Sequence, residues 1–348
     1  MKKLLAFEQS LPRMGGRFII IVLAVAQVIS LVAAIPGMIS VQANAQFNLQ
    51  RLQGFLVTIP LLFIVSNLII LFIGWRSTRT ARKRLDAWAK GVLRPNHEEE
   101  LVAWREITSL TWRMGIADGV VNFFLVILPA FFITYSQSDT LSSPFQPTSL
   151  NSPDPVYVLL GGIVALLGVG ILAILMIERF TLPARLILLP TDLETQLSGR
   201  SGPLLVSKFI VLILGLIAIA ILLIVPIGYQ QTVQILYSEV SSLKVFQSYQ
   251  VQSIVFSALA LILGLAFSYY VSRSISDPIK DLISTFNKIE QGDLTQRAPV
   301  SSTDELGIVT VQFNRMVNRL EGLQTTLEQQ VLERTKQLTA MNQVARAA

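Results

Sequence analysis

The sequence predicts an all-α membrane protein: six transmembrane helices, then a parallel four-helix coiled coil made by two copies of the chain, then a C-terminal helix. Three observations carry this. Hydrophobic residues make up 52% of the 348 and charged residues only 14%, with a mean hydropathy of +0.58, too apolar a mixture for an ordinary soluble domain. Six blocks reach the roughly 20 apolar residues that a helix needs to cross a bilayer. Behind the last block, two stretches space their apolar residues alternately by three and four, the mark of helices packed along a seam.

The six blocks are 18–39, 54–74, 116–135, 156–177, 205–229 and 251–271, a membrane region of 18–271 after an N-terminal tail of 1–17. Orientation follows from basic residues, whose translocation is opposed. Seventeen lie in the tail, in the second and fourth connections and, as Lys208, at the inner edge of the fifth block, against two, Arg51 and Lys244, in the other three connections. Both termini are therefore expected in the cytoplasm. The first block has a rival reading, because "VQANAQ" at 41–46, beyond Pro36-Gly37, has the small-residue pattern of a signal-peptide cleavage site. The tail before the block is long and the block itself is long enough to span, so a retained helix is expected; cleavage would leave five spans and alter no sidedness.

Chemistry is narrowed by what is scarce. There is no cysteine and a single histidine, His97, so disulfides, thiolate metal sites and Cys or His nucleophile systems are excluded. His97 stands beside Glu98, Glu99 and Glu100, which read as solvated acids, and neither a metal nor any cofactor is expected. The net charge of +6 reflects membrane topology, and no nucleic-acid partner is expected.

The connections differ in character. Ser136–Pro155 is rich in Ser, Pro and Asp and cannot build a core, so it reads as a disordered connector and leaves no external ligand-binding domain. The second connection holds or borders all four tryptophans, Trp75, Trp88, Trp104 and Trp112, and Asn96 before three glutamates makes a helix start. An interfacial helical hairpin anchored by tryptophan is expected there. Within the spans, Asp118 with Asn122 one turn on is the candidate polar site, and Asn67 is a weaker one, since an intramembrane carboxylate is a functional candidate by default. Its shallow position would let Asp118 reach water or Arg113. The spans form three hairpins, and the exits at 178–190 and 272–284 look alike, each with Arg, then Pro, then a basic residue.

After Val271 the apolar stripe runs Ile275, Ile279, Leu282, Phe286 and Ile289, with Pro278 read as near enough to the helix start to be tolerated. Gly292-Asp293 ends that helix. A connector follows whose large apolar residues are Leu294 and Val300, and the stripe resumes at Leu306, Val309, Phe313, Met316, Leu320, Leu323 and Leu327. A connector of about 14 residues can run back along the whole first helix, so the two short helices lie parallel. One stripe per helix completes its core by dimerising into four helices.

This arrangement over 272–327, with "DPIKDL", "QGDL" and "TDELG" in order, resembles the HAMP domain of prokaryotic transmembrane receptors. The resemblance implies that Pro278 marks the first helix, that Gly292 permits the turn and that Leu294 and Val300 tuck the connector onto the bundle. It also implies that Glu305, within the Asp304-Glu305-x-Gly307 element, ties the second helix to the base of the first. Residues 328–348 look like the signalling helix that often follows such a domain. By the same likeness the chain is expected to be the input and relay module of a homodimeric receptor in a prokaryotic plasma membrane, with itself, membrane lipid and a downstream cytoplasmic module as partners. Six-span anchors of this kind resemble those of class III adenylate cyclases and sensor kinases. No catalytic residue is expected within the chain, the catalytic domain being missing or supplied elsewhere. The alternatives are a six-helix transporter with a cytoplasmic dimerisation stalk and a truncated cyclase or sensor kinase.

Overall fold

The computed structural model describes residues 11–45, 49–92, 96–136, 155–189, 205–237, 242–300 and 304–347. Among them there is no strand. Backbone amides in hydrocarbon must be satisfied within the protein, and a helix does this inside one segment. Among the described residues six helices are long and apolar enough to cross a membrane: Arg17–Asn44, Val57–Ser77, Glu98–Ser136, Pro155–Phe180, Phe209–Tyr229 and Phe246–Glu290. The described residues fall into two compact units, those within 11–189 and 205–273, and those within 274–347. The Ser-rich connection at 137–154 lies outside the described residues.

In the first unit a one-turn helix, Leu11–Met14, precedes α1 (Arg17–Ser30), a 3-10 turn (Leu31–Ala34) and α2 (Ile35–Asn44). Proline lacks an N–H and its ring meets the carbonyl four residues back. The irregular turn therefore falls before Pro36, and helix resumes with proline in its first turn. Helix therefore continues past Pro36-Gly37: Val41 and Gln42 are helical, and Ala45 is the cap. Then follow α3 (Leu49–Ser77), α4 (Arg79–Ala89) and α5 (His97–Asn122), a π-helical turn (Phe123–Ile127) and α6 (Leu128–Ser136). After them come α7 (Pro155–Phe180), α8 (Leu182–Ile187) and α9 (Leu205–Tyr237).

The centre is α7, in contact with α1, α2, α5, α6 and α9. Its buried residues, among them Val164, Ile171, Leu172, Leu175 and Met176, cover much of its circumference, as a helix apolar all round requires. Small residues let α2 approach: a Cβ on Gly37 would run into the Gly161 carbonyl, and one on Gly161 into Val41. The first span belongs to this core, with Phe18, Ile19, Val22 and Ala26 fully buried.

Helices α4 and α5 form the expected hairpin, pinned by the buried Arg84–Glu100 pair at 3.0 Å. The Asn96 side chain accepts from the Glu99 N–H at 3.5 Å, capping α5. One correction concerns the tryptophans: Trp75 and Trp112 are exposed, whereas Trp104 is buried in the hairpin's packing. Arg82 lies 5.0 Å over the Trp75 ring.

Helix α10 (Ser242–Glu290) begins in the first unit, and α11 (Glu305–Ala347) belongs to the second. They have 49 and 43 residues, so the expectation of short helices is corrected. Pro278 is corrected with it, because it sits far inside α10 and not near its start. One missing bond is tolerated where many turns on either side hold the axis. The two similar exits also part: at Pro183 the chain ends one helix at Phe180 and starts α8, while at Pro278 the helix continues.

Candidate functional site

Two sets of residues qualify, one in each unit. In the first, α1, α3 and α5 bring together Gln27, Ser66, Asp118 and Asn122, each buried. The Asn122 amide donates to Asp118 Oδ1 at 3.1 Å, and the Gln27 amide donates to the same oxygen at 3.5 Å. Ser66 Oγ donates to Asn122 Oδ1 at 2.6 Å. Asp118 and Asn122 are one turn apart, which sets both on one face of α5. Asp118 is 1% exposed, so of the two readings open in the sequence, a buried polar site or a carboxylate reaching water, the structure shows the buried one, with Gln27 of α1 and Gly170 of α7 against it. Asn67 is corrected too, since its amide donates to the Phe63 carbonyl of its own helix at 2.8 Å and it stays outside the group. Its neighbour Ser66 takes that place, as the face of α3 turned to Asn122 is one residue away. Gln27, the one amide of α1, whose other polar residues, Arg17 and Ser30, stand at its ends, was visible in the sequence as a polar residue within the span.

The π-helical turn starts immediately after Asn122. Next to it lies a cavity of about 320 Å³ between α2, α3, α5 and α7, in whose lining Asn122 and Gln42 are the polar side chains. No group of three His, Cys, Asp or Glu side chains that could hold a metal occurs among the described residues. The His97 side chain lies outside them.

In the second unit α10 ends in a doubly bonded turn. The Gly292 N–H donates to the Ile289 carbonyl at 2.9 Å and the Asp293 N–H to Lys288 at 3.1 Å, the pattern that needs a left-handed residue after the last helical one. Gly292 has φ +95°, which glycine adopts without Cβ strain. Asp293 then closes the corner, accepting from the Thr295 hydroxyl at 2.5 Å, from the Gln296 amide at 2.8 Å and from the Thr295 N–H at 3.2 Å. These bonds hold its carboxyl below the usual carboxylate range.

The connector is tied down by polar side chains that a reading of apolar spacing passes over. Asn314 makes two bonds to one residue, accepting from the Ala298 N–H and donating to the Ala298 carbonyl, each 2.9 Å. Arg297 reaches Asn318 at 2.6 Å and pairs with Glu321. Val300 and Ala298 are buried and Leu294 is half-buried. Residues 301–303 lie outside the described part. Buried Asp304 begins α11, its carboxylate accepting from the Leu306 N–H at 3.1 Å. Glu305 is half-buried and Gly307 buried.

The apolar stripe divides in two. Ile275, Leu282 and Ile289 on α10, and Leu306 and Phe313 on α11, are half-buried within one chain. Between them, at the same seven-residue spacing, Ile279 and Phe286, and Val309 and Met316, are exposed, Phe286 at 53% and Met316 at 48%. Ile283 widens the exposed face of α10, and Leu320, Leu323 and Leu327 extend that of α11. Fully buried Val317 and the buried threonines Thr285 and Thr310, whose hydroxyls donate to carbonyls one turn back in their own helices, complete the packing inside the chain.

Comparison with known proteins agrees with this geometry. Residues 270–322 match the HAMP domain family. The chain is 39% identical over 88 residues to the methyl-accepting chemotaxis protein McpC of Bacillus subtilis, 24% of this chain and 13% of that protein. It is 38% identical over 63 residues to the methyl-accepting chemotaxis protein TlpA of the same organism, 18% and 10% of the two. To the sensor protein kinase WalK of Staphylococcus aureus it is 28% identical over 75 residues, 22% and 12%. The chain thus spans about a tenth of the length of the curated relatives it matches. No solved structure matches it. The chain thus carries a HAMP domain at 270–322, behind helices long and apolar enough to cross a membrane.

Proposed function

We propose that the chain is the input and relay module of a homodimeric receptor, passing a stimulus felt in the membrane bundle through the HAMP domain to a cytoplasmic output module. The observation that carries this is the divided stripe. Exposed apolar residues recurring every seven positions on two water-facing helices call for a partner with the same repeat, and a second copy supplies it. The unbroken α10 supports the relay, because a helix without a joint carries rotation or tilt along its length. The relatives are chemotaxis receptors and a sensor kinase, which supports a downstream signalling module as recipient.

The chain has no cysteine, so single cysteines report cleanly. Replacing Phe286 or Met316 should give same-residue disulfide dimers in native membranes, and replacing half-buried Leu282 or Phe313 should give fewer. A monomer in mild detergent with no crosslink at any of the four defeats the reading. Six spans with both termini inside require cysteines at Ser143 and Ser242 to label from outside intact cells and one at Ser301 to remain unlabelled. With a reporter output domain attached, deletion of Thr335–Met341 keeps the heptad phase and should leave the response intact. Deletion of Glu328–Val331 turns the seam by about 40° and should lock the output; equal behaviour of the two would remove phase coupling and leave the dimer standing.

A further inference from the structure

The polar group inside the bundle is short of one positive charge. Both amide donors, from Gln27 and Asn122, go to the same oxygen of Asp118, Oδ1. The other oxygen, Oδ2, and the Gln27 Oε1 are buried without a hydrogen-bond partner, and both are acceptors. Among the described residues no charged side chain acts on the carboxyl. Gln27 comes from α1, Ser66 from α3 and Asn122 from α5 itself, while α7 presents Gly170, where an added Cβ would lie 3.8 Å from Oδ2. The side chains acting on the Asp118 carboxyl are those of Gln27 and Asn122, with no charged group among them. A bare carboxylate sealed in a membrane span is strongly disfavoured, and such groups are found neutralised or paired.

We infer that Asp118 binds one monovalent cation, a proton or a sodium ion, with Oδ2 and the Gln27 Oε1 as its ligands. One positive charge neutralises the carboxylate and gives both vacant acceptors a partner. A divalent ion would leave an excess charge beside a single carboxylate. The π-helical turn directly after Asn122 is a one-residue irregularity of the kind that gathers at functional sites, and it offers α5 a local way to respond when the ion leaves. That the ion feeds the relay rests on the receptor reading above; the binding itself does not.

The test uses the full chain in lipid nanodiscs, with radioactive sodium binding and the infrared carboxylic-acid C=O band measured side by side. Saturable sodium binding, lost in Asp118→Asn and weakened at least tenfold in Gln27→Leu, assigns the sodium ion. A protonated carboxyl band that vanishes in Asp118→Asn and shifts in Gln27→Leu, with no sodium bound, assigns the proton. An ionised Asp118 with no sodium bound, across the pH range in which the chain stays folded, overturns the proposal; this is read on the unsubstituted protein, so a variant that fails to fold does not protect it. The yield of disulfide at a cysteine replacing Phe286, compared with the cation bound and released, tests the relay separately. An unchanged yield with the cation bound would count against the coupling and not against the site.

Discussion

Both units carry large apolar side chains on their surfaces, yet the same exposure means different things in each. Phe124 of the membrane bundle is 61% exposed and Phe286 of the HAMP domain 53%. Phe124 lies in a span whose surroundings are as apolar as itself, so it needs no cover. Phe286 stands on a helix that also shows Lys280, Asp281, Ser284, Asn287 and Lys288 to solvent, and there its surface must be buried to be stable. An exposed side chain therefore signals a partner only when its solvent is water, and a seven-residue recurrence says which kind of partner.

The largest expected effect breaks or upholds this contrast directly. Phe286→Ala should weaken the dimer by about 3 to 5 kcal/mol per copy, read from dissociation in mild detergent. Phe124→Ala should change stability by no more than about 0.5 kcal/mol. Equal losses would mean that the bundle, too, uses its exposed face for association.

Next comes the closure of the bundle on itself. Gly37→Val forces α2 from α7 and should destabilise the first unit by about 1 to 3 kcal/mol through overpacking. Denaturant titration of a tryptophan signal would show it, the four tryptophans all lying in that unit, while the Phe286 cysteine crosslink should persist.

A similar or smaller loss should follow Asn314→Ala, which leaves the buried Ala298 N–H and carbonyl without partners at about 1 to 3 kcal/mol. The measurement is faster amide exchange at Ala298, with the helicity of α11 unchanged.

The smallest is a pH effect at the corner of the connector. The Thr295 and Gln296 bonds depress the Asp293 carboxyl, so its contribution is fully present above the ordinary carboxylate pKa of about 3.9 and fades as pH falls through the lower folded value. Protection of the Thr295 amide should decline on acidification in that window, and Asp293→Asn should flatten the decline.

Much of this was legible in the chain itself. Hydropathy over some 20 residues marks a span because lipid demands it at every turn, and the 3-4 spacing, Gly292 and the DELG element marked the HAMP domain because each meets a local requirement of backbone or seam. The carboxylate Asp118 and its helix neighbour Asn122 were equally plain, since one turn of helix relates them. The sequence by itself determined these local matters: six apolar blocks, two striped helices, one left-handed turn, one acid in a span. Tertiary structure alone decided the rest. It set Gln27 and Ser66 beside Asp118, passed over Asn67, buried Trp104, joined Asn314 to Ala298 and divided one apolar stripe into an inner and an outer half. The physical reason is common to all of them: each depends on the rotation of one helix against another, and that angle is set by side-chain packing between segments far apart in the chain, on which local periodicity carries no information.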